Sequence, residues 1–94
     1  MNLRFARSAT KHRISRDRIR FVIEHCGLRF RQPALPGARA GSDPRLVYLG
    51  DDTEGVPLEV MAIELEDGSL QVIHAMPLRD RYREQYKEAK IWQR

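Results

Sequence analysis

His74 is an ionisable group set inside an apolar stretch, QVIHAM, and the carboxylate Glu59 lies in the facing stretch, LEVMAIE. An imidazole exchanges its proton near neutral pH, and a neighbouring carboxylate orients the ring, so the pair suits general acid or base work. Lys11, Arg45, Arg79 and Arg81 are available to hold a phosphate, the arginines through a bidentate fork. These residue types meet the needs of RNA cleavage without a metal. A base takes the 2′-hydroxyl proton, an acid supplies the departing 5′-oxygen, and cations hold the phosphate as its charge grows. The plainer alternative is a partly buried histidine satisfied by Glu59 or by a backbone carbonyl. His12, at a turn between two expected helices, reads as a capping or packing residue, or as a contact to RNA.

Other chemistries fit less well. His25 and Cys26 are adjacent, so on a helix they point to different sides, and no second pair with ligand spacing accompanies them. Neither a metal nor a cofactor is expected. No glycine-rich phosphate loop joins a strand to a helix, because Gly50 and Gly55 belong to a hairpin turn. Cys26 falls on an apolar helical stripe and reads as core. Tyr82 and Tyr86, at i and i+4, read as packing.

The elements that must position His74 and Glu59 begin with PLEVMAIELEDGSLQVIHAMPL, residues 57–78. It reads as two strands joined by a two-residue type I′ turn at Asp67-Gly68. Counting outward from that turn, Leu65 faces Leu70, Ile63 faces Val72, Met61 faces His74 and Glu59 faces Met76, all on one face. Leu58, Val60, Ala62, Ile73 and Ala75 lie on the other. Two apolar faces imply a central hairpin covered on both sides. RLVYL, from Arg45, adds a third strand through the turn GDDTEG. Residues 28–32 add a short edge strand.

Helices are expected on either side of these strands. Residues 2–11 read as a short helix capped by Asn2, with Leu3, Ala6 and Thr10 along one side. Ser15 caps a second helix ended by Gly27, with Ile19, Val22, Ile23 and Cys26 inward and Arg16, Arg18 and Arg20 mostly outward. Asp80 caps a final helix with Tyr82, Gln85, Tyr86 and Ala89 inward, and Trp92 near its end is a lid or an interface residue. Residues 31–44, with Pro33, Pro36, Pro44, Gly37 and Gly41, read as a mobile loop carrying Arg39. The expected fold is a single α+β domain over 1–94. It has two N-terminal helices, an antiparallel meander of three strands (four with 28–32), and a C-terminal helix packed on the sheet.

The net charge of +4 conceals an asymmetry. Residues 1–45 hold 11 Lys or Arg against three acids, a balance of +8, whereas residues 46–94 hold six against ten, a balance of −4. A basic first half suits an anionic partner, either nucleic acid or an acidic protein. The single cysteine excludes an intramolecular disulfide and fits a reducing compartment. No run is long and apolar enough for a membrane span, and there is no signal-peptide core. A soluble cytoplasmic protein is expected.

Two stretches together resemble a known family. TKHRISRDRIRFVIEHC is similar to the KHG-[IV]-S-x-[ED]-[DE]-[IV] opening of the BrnT toxins. LVYLGDDTEGVPLEVMAIELEDGSLQVIHAMPLRDRY is similar to their sheet and following helix, through G-x-x-x-x-G-x-x-L-E-V and V-I-H-A-M-x-x-R. The resemblance covers about residues 8–86 and implies a RelE-like fold and a ribonuclease toxin, silenced by an acidic or DNA-binding antitoxin. Lys11 and His12 fall on the KH pair, and His74 and Arg79 on the end-of-strand motif. The expected catalytic set is therefore His74, Arg79, Glu59 and Lys11, with His12, Arg16, Arg20, Arg45 and Arg81 as contacts to RNA. The chain departs from the pattern at Arg13, where the family has glycine. It departs again at His74-Ala75-Met76, where active toxins carry Ser-Ala-Arg.

The rival expectation is a non-catalytic interaction or homodimerisation module on the same fold. A ribonuclease needs His74 exposed in a cleft beside Arg79 or Arg45. A module has it sealed under the C-terminal helix or at a dimer contact. A sequence-specific DNA binder is poorly served, because the basic side chains suit phosphates more than base edges.

Overall fold

In a computed structural model of the chain, residues 2–26, 28–32 and 45–92 are described, without the side chains of Leu28, Ala89 and Trp92. Strand β1 (Leu3–Phe5) leads through a 3-10 turn at Arg7–Thr10 into helix α1 (Arg16–His25). Strands β2 (Leu28–Gln32), β3 (Arg45–Asp51), β4 (Pro57–Glu64) and β5 (Leu70–Pro77) follow. A second 3-10 turn at Asp80–Tyr82 then enters helix α2 (Arg83–Trp92). The five strands form one mixed sheet in the order β1-β5-β4-β3-β2, with β1 parallel to β5 and every other pair antiparallel. No helix among the described residues is long and apolar enough to cross a membrane. The bulk of the loop expected at 31–44, with Arg39, lies outside the described residues. So do the Gly27 stop and the Trp92 side chain.

The expectation of two N-terminal helices is overturned at its first element. Residues 3–5 are a strand, and among the described residues only one α-helix precedes the antiparallel strands. Leu-Arg-Phe fits a period of two as well as it fits one side of a helix, and three residues cannot tell the periods apart. The decision comes from β5, whose outer edge would otherwise leave its N–H and C=O groups unpaired. Leu3 and Phe5 pack against the core while Arg4 meets Asp67 at 3.3 Å in solvent. Beyond Phe5 the chain still follows that edge, with Ala6 N–H donating to the Val72 carbonyl and the Ser8 hydroxyl to that of Ile73.

The hairpin turn also differs from its expected form. Gly68 alone in it has positive φ (86°), the Gly68 N–H reaches the Leu65 carbonyl, and the Leu65 N–H reaches that of Ser69. This is a three-residue loop with a left-handed glycine, and the Asp67 carboxylate takes bonds from the Ser69 N–H and hydroxyl. The longer loop slips the register by one residue, so Glu64 faces Leu70 and Ala62 faces Val72. A bulge opposite Met61/Ala62 then absorbs Ile73 and cancels the slip: Met61 faces His74 and Glu59 faces Met76. Val72 and Ala75, three apart, consequently share one core cluster, and Leu70 and Val72 lie on the face opposite to the expected one.

Each face of the sheet is covered. On one, Ile19, Val22 and Ile23 of α1 pack with Tyr48, Leu58 and Val60. Ser15 caps this helix by accepting from the Arg18 N–H. On the other face, Val47, Leu49 and Met61 pack with Tyr82, Leu78 and Tyr86. Asp80 starts the second 3-10 turn and pairs with Arg83, so α2 begins two residues later than a helix capped by Asp80 would. The main packing of α2 is against β2 and β3.

Arg13 has φ of +60°, a left-handed conformation that suits glycine. A side chain there costs about 1–2 kcal/mol, and glycine's looser unfolded chain returns about half of that. Arg13→Gly is therefore expected to raise the unfolding free energy by about 0.5–1 kcal/mol, measured by chemical denaturation. An unchanged or lower value would show that the turn carries no strain.

Candidate functional site

Alternation along β4 sends Leu58 and Val60 toward α1 and Glu59 toward the opposite face, where it has no accessible surface. A carboxylate so placed needs partners. Pro77 ends β5, the Leu78 N–H still reaches the Pro57 carbonyl, and Arg79 turns back over Glu59. The Arg79 backbone N–H donates to Oε1 at 2.9 Å, Nε donates at 3.0 Å to both oxygens, and Nη2 donates to Oε2 at 2.6 Å. His74 Nε2 lies 3.1 Å from Oε2. Burial alone would raise the Glu59 carboxyl. The hydrogen bonds and charge of Arg79, with the His74 bond, more than offset it and hold the group below its usual range.

A carboxylate so held only accepts, so His74 Nε2 carries a proton and Nδ1 keeps its lone pair. The His74 side chain is 22% exposed. Burial depresses its pKa, and the charges of Arg79 and His12 act the same way, against the opposing pull of Glu59. At neutral pH the ring is therefore a neutral imidazole, oriented by Glu59. That is the state a general base requires.

The sheet edge brings in the next group. β1 stops pairing at Val72, and the following chain carries His12 to β5. The rings of His12 and His74 meet edge to face, 6.1 Å between centroids at 71°. Lys11, next to His12 in the chain, is exposed, and Arg81 is exposed with its guanidinium 5.1 Å from the Tyr82 ring, on which Arg79 also rests at 5.9 Å.

Of the expected residues, Glu59, His74, Arg79 and His12 thus come together, with Lys11 beside His12 and Arg81 joined to Arg79 through Tyr82. Arg16, Arg20 and Arg45 do not join them. Arg16 and Arg20 belong to α1, which packs on the other face, and Arg16 sits 5.2 Å over the Phe5 ring. Arg45 is four residues along β3 from Leu49, the partner of Glu59, about 13 Å away along the strand. Among the described residues no group of three or more His, Cys, Asp or Glu is arranged to hold a metal ion.

Two supporting residues escaped the sequence reading. Ser8 donates its hydroxyl to the carbonyl of Ile73, the bulged residue next to His74. Asp52, whose side chain has no accessible surface, ties the β3–β4 turn to Arg18 of α1. Nothing local signals Ser8. Asp52 leaves a trace in D-x-x-G, where a carboxylate can serve turn N–H groups two and four residues on. No family model, curated protein or solved structure matches the chain.

Proposed function

We propose that this chain is a BrnT-like toxin domain that binds RNA and cleaves it by metal-independent chemistry. The carrying observation is the state of His74: Nε2 is committed to buried Glu59, Nδ1 is available, and α2 packs elsewhere on the sheet. In this reading Nδ1 takes the proton of a 2′-hydroxyl as the oxygen attacks the adjacent phosphorus. Lys11 and the outer part of the Arg79 guanidinium face the phosphate, and Arg81 extends the cationic surface. The reaction belongs to the cytoplasm. A short acidic antitoxin would silence it by covering the basic first half of the chain.

The test is inducible expression of the chain alone beside His74→Ala, with RNA integrity followed in cells and cleavage followed with purified protein in a chelator. The parent is expected to arrest growth and cut RNA with the chelator present. His74→Ala, with an unchanged circular dichroism spectrum, should cut at least about 100-fold more slowly. Soluble parent that leaves growth and RNA intact would overturn the reading and favour the rival protein-binding or homodimerising module, which the commitment of Arg79 to Glu59 also suits.

A further inference from the structure

We infer that His12 is the second proton-transfer residue of this site, the general acid that protonates the departing 5′-oxygen. The inference rests on the RNA-cleavage reading and assigns a role that His74, holding the base position, cannot fill in the same turnover.

Three observations carry it. The two rings are 6.1 Å apart, so each can reach a different oxygen of one phosphodiester at about 3 Å. The His12 ring makes no hydrogen bond to another described residue, which leaves its nitrogens for a ligand, whereas His74 already spends one on Glu59. The backbone that delivers His12 is held in a costly conformation. The Arg13 N–H closes a turn on the Thr10 carbonyl, and Arg13 then takes its left-handed φ before Ser15 starts α1. Backbone strain next to a group with no local partner is where function is to be sought.

The chemistry balances without a further reactant. The 2′-oxygen forms a bond to phosphorus as its proton passes to His74 Nδ1. The bond from phosphorus to the 5′-oxygen breaks with its electron pair on oxygen, and that oxygen takes a proton from a His12 ring nitrogen. The products are a 2′,3′-cyclic phosphate and a 5′-hydroxyl. His74 ends protonated and His12 neutral, and exchange with water restores both. Glu59 and Arg79 face His74 from β4 and the end of β5, and exposed Lys11 precedes His12 in the turn.

A substrate that needs no acid tests this directly. The full chain, His12→Ala, His12→Gln and His74→Ala are compared on a short RNA with one ordinary linkage and on the same RNA with sulfur as the 5′-bridging atom. A thiolate leaves without a proton. Both His12 variants should lose about 100-fold or more on the oxygen linkage and almost nothing on sulfur, while His74→Ala loses on both. Equal losses on oxygen and sulfur, or no loss on oxygen, would overturn the assignment while leaving the cleavage reading intact. A parent that cuts neither linkage would overturn both.

Discussion

Replacing Glu59 by glutamine is expected to lower the unfolding free energy at neutral pH by about 3 kcal/mol, the lower end for breaking a buried ion pair. The lower end applies because the Arg79 side chain is 39% exposed and water screens part of the pairing. An amide offers one acceptor where the carboxylate offered two, and it turns N–H groups toward a guanidinium and an imidazole that already donate. The effect also carries a pH signature. Glu59 is held below its ordinary value of 4.5, so the folded chain binds this proton less readily than the unfolded chain does. Its contribution is complete above about pH 4.5 and drains away as pH falls through the lower folded value. Denaturant titrations at pH 7 and at about pH 3 should therefore show a parent–variant gap that narrows in acid. A variant as stable as the parent at pH 7, or a gap independent of pH, would mean that the Arg79–Glu59 bonds do not hold β5 to β4.

Asp52→Ala should cost a similar amount, about 2–3 kcal/mol, on the other face of the sheet. The Asp52 carboxylate accepts from the Glu54 N–H at 2.8 Å, the Val56 N–H at 2.9 Å and Arg18 Nε at 2.6 Å. Truncation strands two turn N–H groups and releases the buried one of the two ion pairs that tie Arg18 of α1 to the β3–β4 turn, leaving only the pair with exposed Glu54. For 94 residues each kcal/mol moves the melting temperature by roughly 4–8 °C, so a fall of about 10–20 °C is expected. Arg18→Ala should cost only about 1 kcal/mol, since the turn bonds survive. If the two variants lost equally, the turn bonds would be irrelevant and the ion pair would carry the whole effect. Burial pushes the Asp52 carboxyl up, but the Val56, Arg18 and Glu54 hydrogen bonds outweigh it and leave the pKa below 3.8. This contribution, too, is lost in acid.

The two carboxylates show what could be read early and what could not. Glu59 was legible because alternation puts it on the His74 face, diagonal to it, and a two-residue period is a property of the strand itself. Arg79 was legible as a cation after the strand, but its commitment to Glu59 was not. That depends on how the chain turns at Pro77, Leu78 and Arg79 over the end of β4. Asp52 was read as part of a turn, and its bond to a helix 34 residues away in sequence is a contact between layers.

By itself the sequence determined the pattern: apolar faces on both sides of the central hairpin, the Ser15-capped helix, and a basic first half. These follow from local periodicity, capping and charge count, which need no knowledge of distant neighbours. Only the tertiary structure decided that residues 3–5 are a strand, because the open edge of β5, more than 60 positions away, supplies the bonding partners. It alone decided that a three-residue loop and a bulge at Ile73 cancel, so that the expected register survives at His74 and fails at Val72. It alone set His12 beside His74 and left Arg16, Arg20 and Arg45 elsewhere. Spacing along a chain fixes which residues share a face, but the fold fixes which faces and edges meet.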